Sequence, residues 1–294
     1  MASSGASGLA VALPECSVAS QEAGESLTGT AVESVDHWLL LEVTDPWAPK
    51  ALQTEALPEP VRSRLAEWLQ TPRSRLQLIR RPGRPGKGSR FMVVSSATDR
   101  QQASTVELDR YEDLLDIDLD ALPTEIAEPM CLVCVHGRRD RCCALHGSAL
   151  FRAIQARGVD VWQTSHLGGH RFAACALWLP DGLMYGRLRA EHAERFVSAR
   201  RAGEIGELGR FRGRCAHDRP TQSAEIFLRR RLGEQVAGSM EWLSTSVEPE
   251  MTWEARFRTG SGDEVVRVRL EETGVARPAS CGGESEPVMR FVEM

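Results

Sequence analysis

The sequence predicts an α/β fold with a β-rich C-terminal tail, on three observations. Short apolar runs alternate with stretches in which apolar residues recur at helical spacing. Turns rich in Gly and Pro, at residues 81–89 and 180–182, sit between pairs of strand-like runs. From residue 252 onward the chain alternates with the two-residue period of a strand.

Residues 1–35 form a Ser/Ala/Gly-rich lead, expected to be poorly ordered. An N-terminal α/β region over 36–127 opens with an apolar strand at 37–44. Pro58 and Pro60 precede a helical-period stretch at 61–69. Strand-like runs at 76–79 and 91–94 flank Arg81-Pro-Gly-Arg-Pro-Gly-Lys-Gly-Ser89, which predicts a hairpin. That turn is not a phosphate loop, because two residues separate Gly83 from the Gly86-Lys87 pair where the pattern needs four.

A polar, acidic stretch at 104–128 leads into a second region, 128–235. An apolar strand at 130–135 precedes a helix over 142–155, with Leu145, Ala149, Leu150 and Ile154 on one side, and then a strand at 159–162. Runs at 172–179 and 183–188 flank Pro180-Asp-Gly182 as a second hairpin, and helices are expected at 191–202 and 221–232. Strand, helix, strand, hairpin and helix in that order is close to a thioredoxin-like arrangement. The β-rich segment, 236–294, alternates at 252–258, 265–270 and 289–292.

Composition narrows the classes of function. The 294 residues are 42% apolar and carry a formal net charge of −5, which gives no reason to expect nucleic acid as a partner. No stretch approaches the ~20 apolar residues that span a bilayer, so no membrane is expected. The start of the chain lacks the pattern of a signal peptide, and a cytoplasmic, reducing location follows as the expectation. Eight cysteines in such a setting point to metal or redox chemistry rather than to disulfides.

Four of those cysteines fall in Cys131-Leu-Val-Cys-Val-His-Gly-Arg-Arg-Asp-Arg-Cys-Cys143, at a predicted strand-to-helix junction. Downstream, Thr164-Ser-His-Leu-Gly-Gly-His-Arg-Phe172 holds two histidines separated by three residues. Thiolates with imidazoles suit zinc or an iron–sulfur cluster, not calcium or magnesium. Cys131 and Cys134 differ by three, so on a strand they point to opposite faces, and a packing role is expected for Cys131. Cys215 and His217 form a second ligand pair, but two ligands do not make a metal centre and a loop role is expected. Cys175 reads as core, and Cys281 as an exposed thiol without a role.

Cys134-Val-His-Gly-Arg-Arg-Asp-Arg-Cys-Cys143 with Ser165-His-Leu-Gly-Gly-His-Arg-Phe-Ala173 resembles the sucrase/ferredoxin-like family of thioredoxin-like ferredoxins. Cys16-Ser-Val-Ala-Ser20, Gly24-Glu-Ser-Leu-Thr-Gly-Thr30 and Asp45-Pro-Trp-Ala-Pro-Lys50 are also similar to it, so the resemblance covers roughly 15–233. It implies a [2Fe–2S] cluster held by Cys134, Cys143, His166 and His170, with Cys131, His136, Arg138, Asp140 and Cys142 as supporting neighbours. It also implies electron transfer or redox sensing with a redox partner protein. Neutral imidazoles in place of two thiolates leave the oxidised site uncharged, which predicts a raised, pH-sensitive potential.

Two other readings stay open on the residues themselves. A Cys2His2 set is also a common structural zinc module. Cys131 and Cys134 beside an α/β pattern fit a thioredoxin-like dithiol oxidoreductase, although that motif belongs at a helix N-terminus. No paired carboxylates stand in a recognisable glycosidase context, so sugar hydrolysis is not expected.

Overall fold

A computed structural model describes residues 15–81, 88–97 and 101–294. Helix α1 (Cys16–Glu22) precedes β1 (His37–Glu42), α2 (Glu59–Trp68), β2 (Ser74–Arg80), β3 (Ser89–Ser95), β4 (Gln102–Leu108) and the two-residue β5 (Glu125–Ile126). Then come β6 (Met130–Cys134), α3 (Arg141–Gln155), β7 (Val161–Thr164), β8 (Ala176–Leu179) and β9 (Leu183–Tyr185). Helix α4 (Ala193–Arg201), β10 (Phe211–Arg214) and α5 (Arg219–Leu232) complete the second region. The tail is β11 (Glu241–Glu248), β12 (Thr252–Thr259), β13 (Gly262–Pro278) and β14 (Ser285–Glu293).

The described residues form two sheets: a ten-stranded one in the order β10-β9-β8-β6-β7-β2-β1-β3-β4-β5, and a four-stranded β11-β12-β13-β14 meander. Within the large sheet β6 and β7 are parallel, β8 runs antiparallel to β6, and β9 antiparallel to β8. This is the thioredoxin-like plan that the element order predicts. The N-terminal half repeats it, with β1 and β2 parallel, β3 antiparallel to β1 and β4 antiparallel to β3. The halves join where Ile79 and Arg80 pair antiparallel with Thr164 and Gln163.

That arrangement corrects one expectation. Strands β2 and β3 do not form a hairpin, because β1 lies between them and pairs with both. The residues of β1 after His37 are all buried, as expected of a strand covered on both faces. Most of the turn from which the hairpin was inferred, 82–87, lies outside the described residues. Strand β4 occupies part of the polar stretch, and β10 and β11 were not anticipated.

The lead also differs from expectation. Residues 1–14 lie outside the described part, but 15–35 are folded against the second region. Glu25 anchors them: its buried carboxylate accepts from Arg171 Nε at 2.7 Å, from Arg277 Nε and Nη2 at 2.9 Å each, and from Ser20 Oγ at 2.8 Å. Burial alone would raise its pKa, but these donors hold it below the ordinary carboxylate value. Arg277 lies in β13, so one carboxylate ties lead, second region and tail together.

Strand alternation sorts the core around β6. Met130, Leu132 and Cys134 share one face with Trp162, Leu167 and Phe172, whereas Cys131 and Val133 face Leu150, Phe151 and Ile154 of α3. Leu145, expected on the buried side of α3, is instead exposed. The meander packs Ala255, Phe257, Val266 and Val268 onto Ala224 and Leu228 of α5. Among the described residues no helix is long and apolar enough to cross a membrane.

Candidate metal centre

Strand β6 delivers Cys134 to its C-terminal end, and six residues later Asp140 is the cap before α3. The Asp140 side chain accepts from Cys142 N at 2.9 Å, capping the helix. Cys143 therefore sits in the first turn of α3, above the end of β6. Gly147, one turn on, permits this approach: a Cβ there would lie 2.0 Å from the Cys134 carbonyl oxygen. Gly147→Ala is accordingly expected to destabilise the fold by about 1–3 kcal/mol through overpacking. An unchanged urea midpoint would show that α3 has room to retreat from β6.

The histidines come from the connection between β7 and β8. Gly168 and Gly169 have φ of +95° and +69°, conformations that favour glycine, and they turn the loop back so that the His166 and His170 rings lie 5.3 Å apart. Arg212 braces this turn by donating to the Gly168 carbonyl at 2.9 Å.

The ligand atoms of Cys134, Cys143 and His166 all lie within 4.8 Å of one another. His170 stands beside this trio, its Nε2 2.7 Å from the Ala279 carbonyl oxygen. A carbonyl only accepts, so Nε2 carries the proton and Nδ1 keeps its lone pair. Nδ1 of His170 and Nδ1 of His166 are both buried without a hydrogen-bond partner among the described residues. Ring nitrogens without partners beside a pair of thiols suit a soft-to-borderline metal group.

The charge states agree with that chemistry. The adjacent Cys143 thiol and the His166 ring hold Cys134 well below the ordinary thiol range, against the opposing effect of burial. The same contact with Cys134, reinforced by burial, pushes Cys143 up. The pair therefore shares one readily formed thiolate, the ligating form of cysteine. Burial lowers His170, against the Ala279 carbonyl and Asp140, which favours a neutral ring.

The other expected neighbours divide. Asp140 is buried, with an oxygen 3.9 Å from His170 Nε2. His136 packs edge-on against Trp47, with ring centroids 5.8 Å apart. Arg138 lines a separate recess with Asp45 and Glu55. Cys131 does not belong to the site: strand alternation sends it to the opposite core, where burial raises its pKa. That placement removes the geometric basis for a Cys131–Cys134 dithiol.

Cys142 points away from Cys143, toward Cys16 and Cys281. Neither of those two was singled out as a site residue, and Cys281, expected to be an exposed thiol, is half-buried. Their long sequence separations hid the convergence; the family-like segment around Cys16 was the one available signal. Cys175 and Cys215 are core residues, and the His217 ring packs against Trp242 at 5.4 Å.

A cleft of about 680 Å³ opens on the His166 side, lined by Lys50, Leu52, Arg75, His136, Arg139 and His166 among others. Lys50 comes from the β1–α2 connection, so the repeated N-terminal half forms one wall of it. Three cationic side chains give this opening a positive rim. On the other side Trp162, Leu167 and Phe172 are fully buried and exclude water.

The sucrase/ferredoxin-like family model matches residues 27–213, well over half of the chain. No curated protein matches it. Similar solved structures include two cysteine-to-serine variants of the thioredoxin-like [2Fe–2S] ferredoxin from Aquifex aeolicus. One is 16% identical with a TM-score of 0.26, covering 29% of this chain and 97% of its own. The other is 18% identical with a TM-score of 0.23, covering 26% and 89%.

Proposed function

This chain belongs to the sucrase/ferredoxin-like family, and from that premise we propose that it binds a [2Fe–2S] cluster through Cys134, Cys143, His166 and His170, serving as an electron carrier or redox sensor. The observation that carries this reading is the convergence of Cys134, Cys143 and His166, with two orphaned Nδ1 atoms on His166 and His170. When bound, such a cluster supplies one-electron redox chemistry.

The chain's own residues would set how that chemistry is used. The Ala279 carbonyl fixes the His170 tautomer and leaves Nδ1 for ligation. His166 lines the open cleft and, of the four, is the histidine on its solvent-facing side. The positive rim of Lys50, Arg75 and Arg139 suits an acidic redox partner and favours the reduced, more negative state.

Iron, acid-labile sulfide and zinc analysis of anaerobically purified protein tests the reading. Equal iron and sulfide with an EPR signal on reduction support it; a colourless protein with zinc on these four residues replaces it with a structural zinc module. A second expectation is a potential that falls as pH rises, because reduction adds negative charge and so raises the proton affinity of any imidazole ligand that faces solvent. The slope should approach roughly 59 mV per pH unit where one proton follows one electron. A potential constant from mildly acid to alkaline pH would exclude a solvent-facing histidine ligand.

A further inference from the structure

We propose that Cys16, Cys142, Cys281 and Asp140 form a second metal site, a structural zinc centre that clamps the N-terminal helix and the C-terminal tail onto the start of α3. Cys16 comes from α1, Asp140 from the N-cap of α3, Cys142 from its first turn, and Cys281 from the turn between β13 and β14. Cys16 and Cys281 both lie outside the segment matched by the family model, and the proposal does not depend on the cluster proposed above.

The dimensions carry the argument. The Cys142–Cys281, Cys16–Cys281 and Cys16–Cys142 sulfur separations are 3.4, 3.7 and 3.8 Å. Tetrahedral zinc with Zn–S bonds of about 2.3 Å sets sulfurs about 3.8 Å apart, and with Zn–O near 2.0 Å sets sulfur and oxygen about 3.5 Å apart. Asp140 oxygens stand 3.6 Å from Cys16 Sγ and 3.3 Å from Cys281 Sγ. The four side chains therefore have the size and donor set of a Cys3Asp zinc shell.

The surroundings suit the charge. Three thiolates and a carboxylate around a divalent ion leave two negative charges. Backbone N–H groups of Cys142 and Cys281 donate to Asp140 at 2.9 Å each, and Ser17 Oγ donates to Cys142 Sγ at 3.3 Å. The N-terminus of the 15-residue α3 adds its positive end. Without metal, burial and the neighbouring Asp140 carboxylate push Cys16 up, so zinc binding displaces thiol protons and strengthens as pH rises. A disulfide between any two of these cysteines would leave the third without a partner.

The site also explains why the tail folds back. Ala279, two residues before Cys281, supplies the carbonyl that orients His170. Fixing Cys281 fixes that acceptor.

The test uses the full-length protein purified under reducing conditions with zinc supplied, read by metal analysis and by X-ray absorption at the zinc edge. One zinc per chain, with three sulfurs near 2.3 Å and one oxygen near 2.0 Å, is expected. Cys16→Ser and Cys281→Ser should each release that zinc to a chelator. No zinc in the wild type, a shell of two sulfurs and two nitrogens, zinc retained in both variants, or a Cys142–Cys281 disulfide in non-reduced peptide maps would each overturn it. The wild-type absorption spectrum decides the matter even if a variant fails to fold. Iron without zinc defeats this proposal alone, and zinc in the shell of three sulfurs and one oxygen without iron defeats the cluster alone.

Discussion

Cys143→Ser is expected to reduce iron from about two atoms per chain to nearly none, whereas Cys142→Ser, one residue away, should leave iron in place. Successive residues on a helix point about 100° apart. In the first turn of α3 this directs Cys143 toward Cys134 and the core that holds Trp162 and Phe172. It directs Cys142 toward Cys16 and Cys281. Serine keeps the shape at both positions but is a poor ligand for iron, so the comparison separates ligation from packing. Iron and sulfide analysis of the two variants, with circular dichroism to confirm folding, is the measurement. Full iron in Cys143→Ser, or its loss in Cys142→Ser alone, would show that the ligands are misassigned.

The second large effect is expected far from the metal centre, at Glu225. This carboxylate of α5 is buried between Arg229, with Arg229 Nη2 at 2.9 Å, and Arg214, with Nη2 at 3.7 Å. The same guanidiniums donate to the Ala237 carbonyl, joining α5, β10 and the start of the tail. Glu225→Gln leaves Arg214 and Arg229 buried without their counter-charge, and a loss of about 3–5 kcal/mol is expected in urea unfolding near neutral pH. A loss below about 1 kcal/mol would mean that water reaches the arginines.

Acid should act on the same corner in two steps. Burial lowers His217 to about 4, against the Glu225 carboxylate that favours its protonation. Its contribution is complete above its ordinary value of 6.5 and is lost as pH falls through about 4, at a cost of roughly 3 kcal/mol for about 1.36 kcal/mol per pKa unit. Burial would raise Glu225, but Arg214 and then Arg229 lower it to about 2. Its contribution is complete above 4.5 and is lost as pH falls through about 2. Replacing His217 by a neutral isostere should flatten the first step and move the second to slightly higher pH, because the protonated ring also lowers Glu225.

Local signals in the sequence determined a good part of this protein. The period of two placed Cys131 and Cys134 on opposite faces of β6. Pro180-Asp-Gly182 marked the β8–β9 hairpin, and helical spacing marked α3, α4 and α5. The Cys134–Cys143 and His166–His170 spacings, read with the family resemblance, singled out Cys134, Cys143 and His166, whose ligand atoms converge, and His170, whose ring lies beside His166. Each of these signals depends on neighbours a few residues apart, whose geometry the backbone sets directly.

Tertiary structure decided the rest. A turn between β2 and β3 cannot reveal that β1 inserts between them, since strand partners are chosen by packing across the sheet. Strand β10, Phe211-Arg-Gly-Arg214, reads as polar, and it is buried because Arg212 and Arg214 find carbonyls and Glu225 inside. The repeated strand plan of the two halves is a property of connectivity, carried by unlike residues. Cys16 and Cys281 lie 265 positions apart and meet because α1 and the β13–β14 turn both dock on Asp140. Convergence over such distances is encoded in the sum of many weak packing choices, which no single segment of the sequence displays.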